Sequence, residues 1–306
     1  AHSMAWDDER KNVVLFGGSN QSAMNDTWTW DGSTWTDRSS AVRPPARTNA
    51  ALAYDPTAKR VVLVAGISAF GVRLTDSWTW DGSTWSATGF DGPPGDTPVM
   101  AIDEERKQLV LVTANMTWTF SNGTWLRRAF PGPLPGNMSG HALTWDPVRK
   151  NLVLTGGTGT VVEVWTWDGG RWTNLTPTLP SAPPRRSRHT ATWDPIGKAV
   201  RITGGFGPSG WLDDTWSFDG SRWKLITPSL DPLDPMPFLQ ATSPFVLHEP
   251  SKRPIRFGGQ TDQGSVSEET WTFQTRGGAC TRGPQCNSGF CVGQDCIVQA
   301  SCGICE

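Results

Sequence analysis

The sequence predicts an all-β fold made of six repeated units, and three observations support this prediction. The chain has 33 glycines, 24 prolines and 18 tryptophans in 306 residues, which is typical of short strands joined by many turns. A tryptophan-rich phrase recurs along most of the chain, at intervals of about 40 to 55 residues. Within each repeat, apolar runs alternate with turn residues over lengths that suit strands rather than helices.

The repeat is clearest in its last two strands. Asp26-Thr-Trp-Thr-Trp-Asp-Gly-Ser-Thr-Trp35 returns almost unchanged as Asp76-Ser-Trp-Thr-Trp-Asp-Gly-Ser-Thr-Trp85. Weaker copies contain a tryptophan at the first aromatic place of this phrase: Trp118, Trp165, Trp216 and Trp271. A propeller with four strands per blade requires repeats of this length. We therefore expect a six-bladed β-propeller of four-stranded antiparallel blades.

The first two strands of each repeat have their own pattern. The first strand is a short run that ends in an aromatic residue and an acid, as in Ser3-Met-Ala-Trp-Asp7. In five repeats a lysine follows that acid by four residues: Lys11, Lys59, Lys107, Lys150 and Lys198. The second strand is an apolar run closed by glycines, as in Val13-Val-Leu-Phe-Gly-Gly18, which suits a strand buried on both faces. The Asp-Gly after the third strand predicts a tight hairpin turn.

These features resemble the kelch repeat, in which paired glycines follow an apolar strand and aromatic residues occupy fixed places in the next two strands. The resemblance covers residues 1–275 and implies the following blades: 1–39, 47–88, 97–128, 140–175, 188–226 and 240–275. Kelch-type propellers are mostly interaction modules and occasionally enzymes. The last copy has no fourth-strand tryptophan after Trp271. We expect residues upstream of Ala1 to supply the missing outer strand, which would make the sequence a fragment of a longer chain.

Residues 276–306 form a second segment, with a different composition. It contains all six cysteines of the chain: Cys280, Cys286, Cys291, Cys296, Cys302 and Cys305. An even number of cysteines in a short, glycine-rich segment indicates disulfides and an oxidising compartment, and the pairing stays open. A zinc site is the alternative, but only one C-x-x-C pair is present and no histidine is near it. The segment resembles disulfide-rich tails of secreted bacterial proteins, so we expect a secreted or cell-surface protein.

Charge and apolar patterning argue against several partners. The formal net charge is −2, which provides no global attraction to nucleic acid or to an anionic membrane. No stretch approaches the roughly 18 consecutive apolar residues of a membrane span. We therefore expect neither nucleic-acid binding nor membrane insertion.

The candidate binding residues lie in loops on one face of the disc. Strand direction alternates along a blade, so the loops between strands two and three share a face with the links between blades. Phe206 and Trp211 lie in such a loop of the fifth copy, and Phe70 and Arg73 lie in the equivalent loop of the second. These two copies are opposite in a six-bladed ring, so their loops would flank the mouth of the central channel. Exposed aromatic residues and arginines are favoured at binding sites, and the alternative is that Trp211 folds back onto its own blade.

Arginines and histidines just before the first strands are further candidates. By the kelch resemblance, Arg47 and Arg188 take places that kelch proteins use to bind acidic peptides, and hydrogen bonding to neighbouring carbonyls is the alternative. His2, His141 and His189 share one place at the start of the innermost strand. That arrangement allows a metal site or ties between blades, and we expect no metal. His189 is also a candidate ligand-binding residue.

The sequence favours a binding protein over an enzyme. Kelch-like enzymes that resemble galactose oxidase need two tyrosine ligands for copper and a Tyr–Cys crosslink, whereas this chain has one tyrosine, Tyr54, and no cysteine in its propeller. It has no phosphate loop and no His-Glu-x-x-His segment. We expect a non-catalytic recognition or scaffold module, without cofactor, that binds a protein partner through the face with the long loops. The alternatives are a glycan-binding propeller and a propeller hydrolase or lyase whose site is assembled across blades.

Overall fold

A computed structural model describes residues 2–91, 97–113, 116–130, 133–136, 140–157, 159–212, 214–227, 245–248, 253–260, 266–274, 289–292 and 295–301. In these residues the regular structure is β apart from one 3-10 turn, Thr176–Thr178, and no described helix could cross a bilayer. The strands form a β-propeller of four-stranded antiparallel blades, which confirms the predicted fold class.

Five four-stranded blades follow one another in chain order. Blade 1 contains β1 (Ser3–Asp7), β2 (Asn12–Asn20), β3 (Ser22–Trp30) and β4 (Trp35–Asp37). Blade 2 contains β5 (Ala51–Asp55), β6 (Arg60–Val64), β7 (Asp76–Trp80) and β8 (Trp85–Asp91). Blade 3 contains β9 (Val99–Asp103), β10 (Gln108–Thr113), β11 (Met116–Ser121) and β12 (Thr124–Arg128). Blade 4 contains β13 (Ala142–Asp146), β14 (Asn151–Gly156), β15 (Glu163–Trp167) and β16 (Trp172–Asn174).

Blade 5 carries an extra hairpin. Its four strands are β17 (Thr190–Asp194), β18 (Ala199–Thr203), β21 (Thr215–Phe218) and β22 (Trp223–Thr227), and the hairpin strands are β19 (Phe206–Gly207) and β20 (Gly210–Trp211). The hairpin β19–β20 forms a separate two-stranded sheet between β18 and β21. It therefore extends the loop that the sequence marked as a candidate site.

The sixth repeat forms a five-stranded sheet, which we call sheet 6. Its strands in chain order are β23 (Phe245–His248), β24 (Arg253–Gln260), β25 (Val266–Gln274), β26 (Gly289–Val292) and β27 (Asp295–Ser301). The spatial order is β23-β24-β25-β27-β26, so the strand beside β25 comes from the cysteine-rich segment rather than from residues upstream of Ala1. Among the described residues the structure thus has five four-stranded blades, and the prediction of six is wrong: the last repeat forms a five-stranded sheet in which β27 takes the place beside β25.

The cysteine-rich segment is only partly described. Cys291 in β26 and Cys296 in β27 are direct backbone partners in the antiparallel pair. The other four cysteines lie outside the described residues: Cys280, Cys286, Cys302 and Cys305. The disulfide prediction therefore stays a prediction.

The first strands form a closed inner ring. Each of β1, β5, β9, β13 and β17 contacts the next in this order, and β23 contacts both β17 and β1. The second strands are buried on both faces, as in Val61–Val64, because a neighbouring sheet packs against each face. This ring places blades 2 and 5 on opposite sides, with two sheets between them in either direction.

A repeated hydrogen bond joins neighbouring sheets. The indole Nε1 of a fourth-strand tryptophan donates to a threonine Oγ1 in the third strand of the preceding sheet. The pairs are Trp85–Thr27 at 2.8 Å, Trp172–Thr117 at 2.8 Å and Trp35–Thr270 at 2.9 Å. The last pair joins blade 1 to sheet 6, where the Trp35 ring also lies 4.8 Å from the ring of Phe257. Sheet 6 therefore packs against blade 1 as the sheet that precedes it.

The connections separate into two faces. The turns between strands one and two and between strands three and four lie on one face, the turn face, where Arg10 Nη1 of blade 1 donates to the Lys59 carbonyl of blade 2 at 3.2 Å. The loops between strands two and three and the links before the first strands lie on the other face, the long-loop face. There, the Arg47 amide in the link to blade 2 donates to the Met24 carbonyl of blade 1 at 2.9 Å.

Candidate functional site

The loop between β6 and β7 of blade 2 presents Phe70 at its tip. The Phe70 residue is 93% exposed, and its neighbour Val72 is 58% exposed. The amides of both residues donate to the Ser68 hydroxyl, at 3.3 and 3.1 Å, and the Ser68 amide donates to the Val72 carbonyl at 2.9 Å. A serine that bonds the backbone around it closes a turn locally. The apolar tip is thus presented by a hydrogen-bonded loop, and Arg73 lies exposed beside it.

The β19–β20 hairpin of blade 5 presents an aromatic pair. Phe206 and Trp211 are direct strand partners, with ring centroids 5.1 Å apart and ring planes at 76°. This edge-to-face geometry is a favourable one for aromatic rings. Phe206 is 47% exposed and Trp211 is 41% exposed, so each ring packs on the other and keeps much of its surface in solvent.

The two loops share a backbone scaffold. In blade 2, Ile67 forms an antiparallel bridge with Thr48 of the link before β5. In blade 5, Phe206 forms the same bridge with Ser187 of the link before β17. The loops therefore occupy equivalent places in two blades on opposite sides of the ring, as the sequence analysis expected of the second and fifth copies.

The structure places Arg47 in the interior. This residue is 1% exposed, and its Nη1 and Nη2 donate to Asp76 Oδ1 and Oδ2 at 2.8 and 2.7 Å. Nη1 also donates to the Ala65 carbonyl at 2.9 Å, and Nε donates to the Pro45 carbonyl at 3.0 Å. Burial raises the pKa of Asp76, but hydrogen bonds from Arg47 and Trp78 and the Arg47 charge outweigh it and hold the pKa below its usual value. Four of the five guanidinium N–H groups thus donate to acceptors within the protein.

Arg186 makes the same contacts in blade 5. Its Nη1 and Nη2 donate to the two carboxylate oxygens of Asp214 at 2.5 and 2.9 Å, and Nη1 donates to the Gly204 carbonyl at 3.1 Å. Arg186 is also 1% exposed. It is therefore Arg186, rather than Arg188, that corresponds to Arg47.

A sequence signal for this correspondence exists. Arg47 precedes the acid Asp55 by eight residues, and Arg186 precedes the corresponding acid Asp194 by the same number. A proline stands two residues before each arginine. The predicted counterpart of Arg47 was Arg188, because Arg188 lies close to the first strand. Counting eight residues back from the acid at the end of that strand would have identified Arg186 instead.

Arg188 and His189 lie where blade 5 meets blade 4. Arg188 is exposed and has a left-handed φ of 58°, and its amide donates to the Gly140 carbonyl of blade 4 at 2.6 Å. His189 is buried and its Nε2 hydrogen-bonds with the Thr155 hydroxyl of blade 4 at 2.8 Å. Burial lowers the pKa of His189 to about 3, so the ring is neutral near pH 7. His189 ties two blades together, and Arg188 faces solvent.

The other two candidate histidines occupy the same place in their own blades. The His2 ring lies edge-on to Phe257 of sheet 6, with centroids 5.7 Å apart. His141 is buried at the start of blade 4. Among the residues that the structure describes, no three His, Cys, Asp or Glu side chains gather as a metal site would require. His2 and His189 instead each contact the preceding sheet.

Comparison with known proteins adds support for the fold. No family model and no curated protein sequence matches the chain. A solved structure described as "Structure of YjhT" matches with a TM-score of 0.66, covering 89% of this chain and 93% of that chain. Both proteins are β-propellers. The two sequences are 14% identical, so the likeness concerns the fold alone.

Proposed function

We propose that the chain is a secreted or cell-surface recognition module of the kelch type. It binds a protein partner through the long-loop face, without catalysis and without a cofactor. Phe70 and the Phe206–Trp211 pair are the main contact residues, and the exposed Arg188 and Arg73 add cationic groups beside them.

The single observation that carries the proposal is the exposure of Phe70. Scattered exposed apolar residues are ordinary on protein surfaces, but a phenylalanine that is 93% exposed leaves about 2 kcal/mol of burial free energy unused. Its loop is closed by hydrogen bonds to Ser68, so binding would order little additional backbone. An aromatic side chain on a preorganised loop suits insertion into a pocket of a partner.

The aromatic pair of blade 5 favours glycan binding as a second candidate function, since an exposed indole can stack on a sugar ring. Carbohydrate sites usually combine such a platform with free carboxylates. Asp214, the nearest described carboxylate in sequence, already accepts hydrogen bonds from Arg186 and from Trp216 Nε1 at 2.6 Å. The occupied carboxylate is the reason we prefer a protein partner.

Affinity capture from surface and extracellular fractions tests the proposal. The bait proteins are the wild-type chain, Phe70→Ser, and Phe206→Ala with Trp211→Ala. The matched control combines Val148→Ser and Ile196→Ser, because these apolar residues are 56% and 62% exposed in the first turns of blades 4 and 5, on the turn face. A glycan array probed with the same proteins runs in parallel.

We expect the wild type and the turn-face control to retain one partner protein. Both long-loop variants, Phe70→Ser and Phe206→Ala with Trp211→Ala, should lose it. If all baits retain the partner, or if only the turn-face control loses it, the assignment of binding to the long-loop face is wrong. Binding to a glycan that depends on Trp211 and not on Phe70 would establish the second candidate instead.

A further inference from the structure

Two buried arginines close the bases of the two aromatic loops. In blade 2, Arg47 contacts both ends of the loop: the Ala65 carbonyl directly after β6 and the Asp76 carboxylate at the start of β7. The Ala65 amide also donates to the Asp76 carbonyl at 3.3 Å. The residues between these ends, 66–75, include Phe70 at the tip. The loop is therefore pinned at its base by one side chain that belongs to the preceding link.

Blade 5 repeats this closure atom for atom. Arg186 contacts the Gly204 carbonyl directly after β18 and the Asp214 carboxylate just before β21. The Gly204 amide donates to the Asp214 carbonyl at 3.1 Å. Such bidentate, charge-assisted hydrogen bonds fix orientation as well as distance.

The pair of a buried arginine with an aspartate occurs in the blades that carry the aromatic loops. In blades 1 and 4, Asp26 and Glu163 occupy the place of Asp76, and each accepts a hydrogen bond from the indole of its own third strand, at 2.7 and 3.0 Å. No arginine among the described residues pairs with either acid. The loops of these two blades present no exposed aromatic side chain in the described structure. The arginine is thus found in the two blades whose loops carry exposed aromatic residues.

We propose that Arg47 and Arg186 are positioning residues that hold the two recognition loops in their binding conformations. This inference rests on the proposed function for the identity of the loops, and it adds the residues that set their geometry. Each arginine acts through the loop base and makes no contact with the partner, because it is 1% exposed. A fixed base lets the tip meet the partner with less ordering on binding.

Amide hydrogen exchange tests the inference without any partner. The variants are Arg47→Met, which keeps the length of the side chain and removes the guanidinium, and Arg47→Lys, which keeps a charge and loses the fork. Arg60→Met is the matched control, because Arg60 is an exposed arginine of the same blade. Arg186→Met provides the reciprocal experiment. The reporter amides are Ile67, Ser68 and Leu74 in blade 2 and Leu212 in blade 5, all hydrogen-bonded within the loop region.

We expect Arg47→Met to raise exchange at the blade 2 reporters about a hundredfold, with Arg47→Lys intermediate and Arg60→Met unchanged. Exchange at Leu212 should stay at its wild-type rate, and Arg186→Met should reverse the pattern. Unchanged exchange at the loop, or an equal rise at the core amides of β6, would overturn the inference, since the arginine would then have no local effect on the loop. Failure of the proposed function would show separately, as the predicted local rise in exchange in Arg47→Met and Arg186→Met combined with the absence of a partner in the affinity capture.

Discussion

At the scale of single residues, the hydrogen bonds between tryptophan N–H groups and threonine hydroxyls affect the stability of the contacts between sheets. Thr27 and Thr117 each accept the indole N–H of a tryptophan from the next sheet. In blade 4 the corresponding residue is Val164, which has no hydroxyl to accept a hydrogen bond. The fourth-strand tryptophan of blade 5 is Trp223, and its Nε1 is buried without a hydrogen-bond partner. An unpaired buried donor costs about 1–3 kcal/mol.

Val164→Thr should therefore stabilise the protein. Threonine has nearly the shape of valine, and its hydroxyl would reach the Trp223 N–H in the cluster that contains both residues. We expect urea unfolding to show a gain of about 1 kcal/mol. Val200→Thr, at another fully buried valine of the same cluster, is the control and should destabilise the protein, because its hydroxyl would be buried. Equal losses for both variants would contradict this account of the missing partner.

His189 should make the protein sensitive to acid. Its pKa is about 3 in the folded protein, lowered by burial first and then by the charges of Arg186 and His141, whereas an unfolded histidine titrates near 6.5. The stabilisation from the neutral ring is complete above pH 6.5 and is lost as the pH falls from 6.5 towards 3. His189 alone should then reduce the free energy of unfolding by about 2 kcal/mol between pH 7 and pH 5.

The measurement is urea unfolding at both pH values for the wild type and for His189→Ala. Blade 2 already carries an alanine, Ala50, at this place. The variant is expected to be less stable at pH 7 and to lose less stability on acidification. An identical loss for both proteins would mean that other groups produce the pH dependence.

At the scale of elements, the turns explain why the repeat is readable in the sequence. The turn lysines all have left-handed backbone conformation, with φ from 49° to 54°: Lys11, Lys59, Lys107, Lys150 and Lys198. Four of them form ion pairs with acids in turns of the same or the neighbouring blade. Local turn geometry and apolar strands are both encoded by nearby residues, so the sequence predicted these elements correctly.

Lys198→Gly should stabilise the turn between β17 and β18. A non-glycine residue at φ 49° carries a steric cost of about 1–2 kcal/mol, which exceeds the entropy that glycine adds to the unfolded chain. We expect a gain of about 0.5 kcal/mol in urea unfolding. Lys224→Gly, at an exposed lysine within β22, is the control and should lower stability. A loss with Lys198→Gly as large as with Lys224→Gly would contradict the argument.

What the sequence could not predict depends on contacts between distant residues. The ion pair of the buried Arg47 with the partly exposed Asp76 joins a link to a strand 29 residues away, and nothing in the sequence distinguishes either residue from an ordinary exposed charge. The two outer strands of sheet 6 escaped prediction for a similar reason, since β27 has no tryptophan phrase and pairs directly with β25 although β26 lies between them in sequence. The aromatic loops were predicted because their residues depart from the repeat.

At the scale of the whole molecule, the ring depends on the contact between blade 1 and sheet 6. The Trp35 indole donates to Thr270, and the side chains of Met4 and Trp30 of blade 1 pack in one cluster with Val246 and Ile255 of sheet 6. The cluster is apolar and spans the two ends of the propeller chain. It therefore closes the ring largely through the hydrophobic effect, with the indole bond setting alignment.

Thr270→Val tests this closure. The substitution keeps the shape of a fully buried residue and removes the acceptor of the Trp35 N–H. We expect it to cost about 1–2 kcal/mol in urea unfolding, similar to Thr27→Val at the junction of blades 1 and 2. A neutral Thr270→Val beside a costly Thr27→Val would show that sheet 6 does not pack on blade 1 in this way.

Site-specific photo-crosslinking on the native surface is the most direct test of whether the protein recognises a partner through the long-loop face. A photoreactive phenylalanine analogue replaces Phe70 or Trp211 on the long-loop face, or Val148 or Ile196 in the first turns of blades 4 and 5, and each protein is irradiated with its native surface fraction. We expect positions 70 and 211 to capture the same protein and positions 148 and 196 not to capture it. Capture of that protein only from positions 148 and 196, or of no protein from positions 70 and 211, would contradict recognition through the long-loop face.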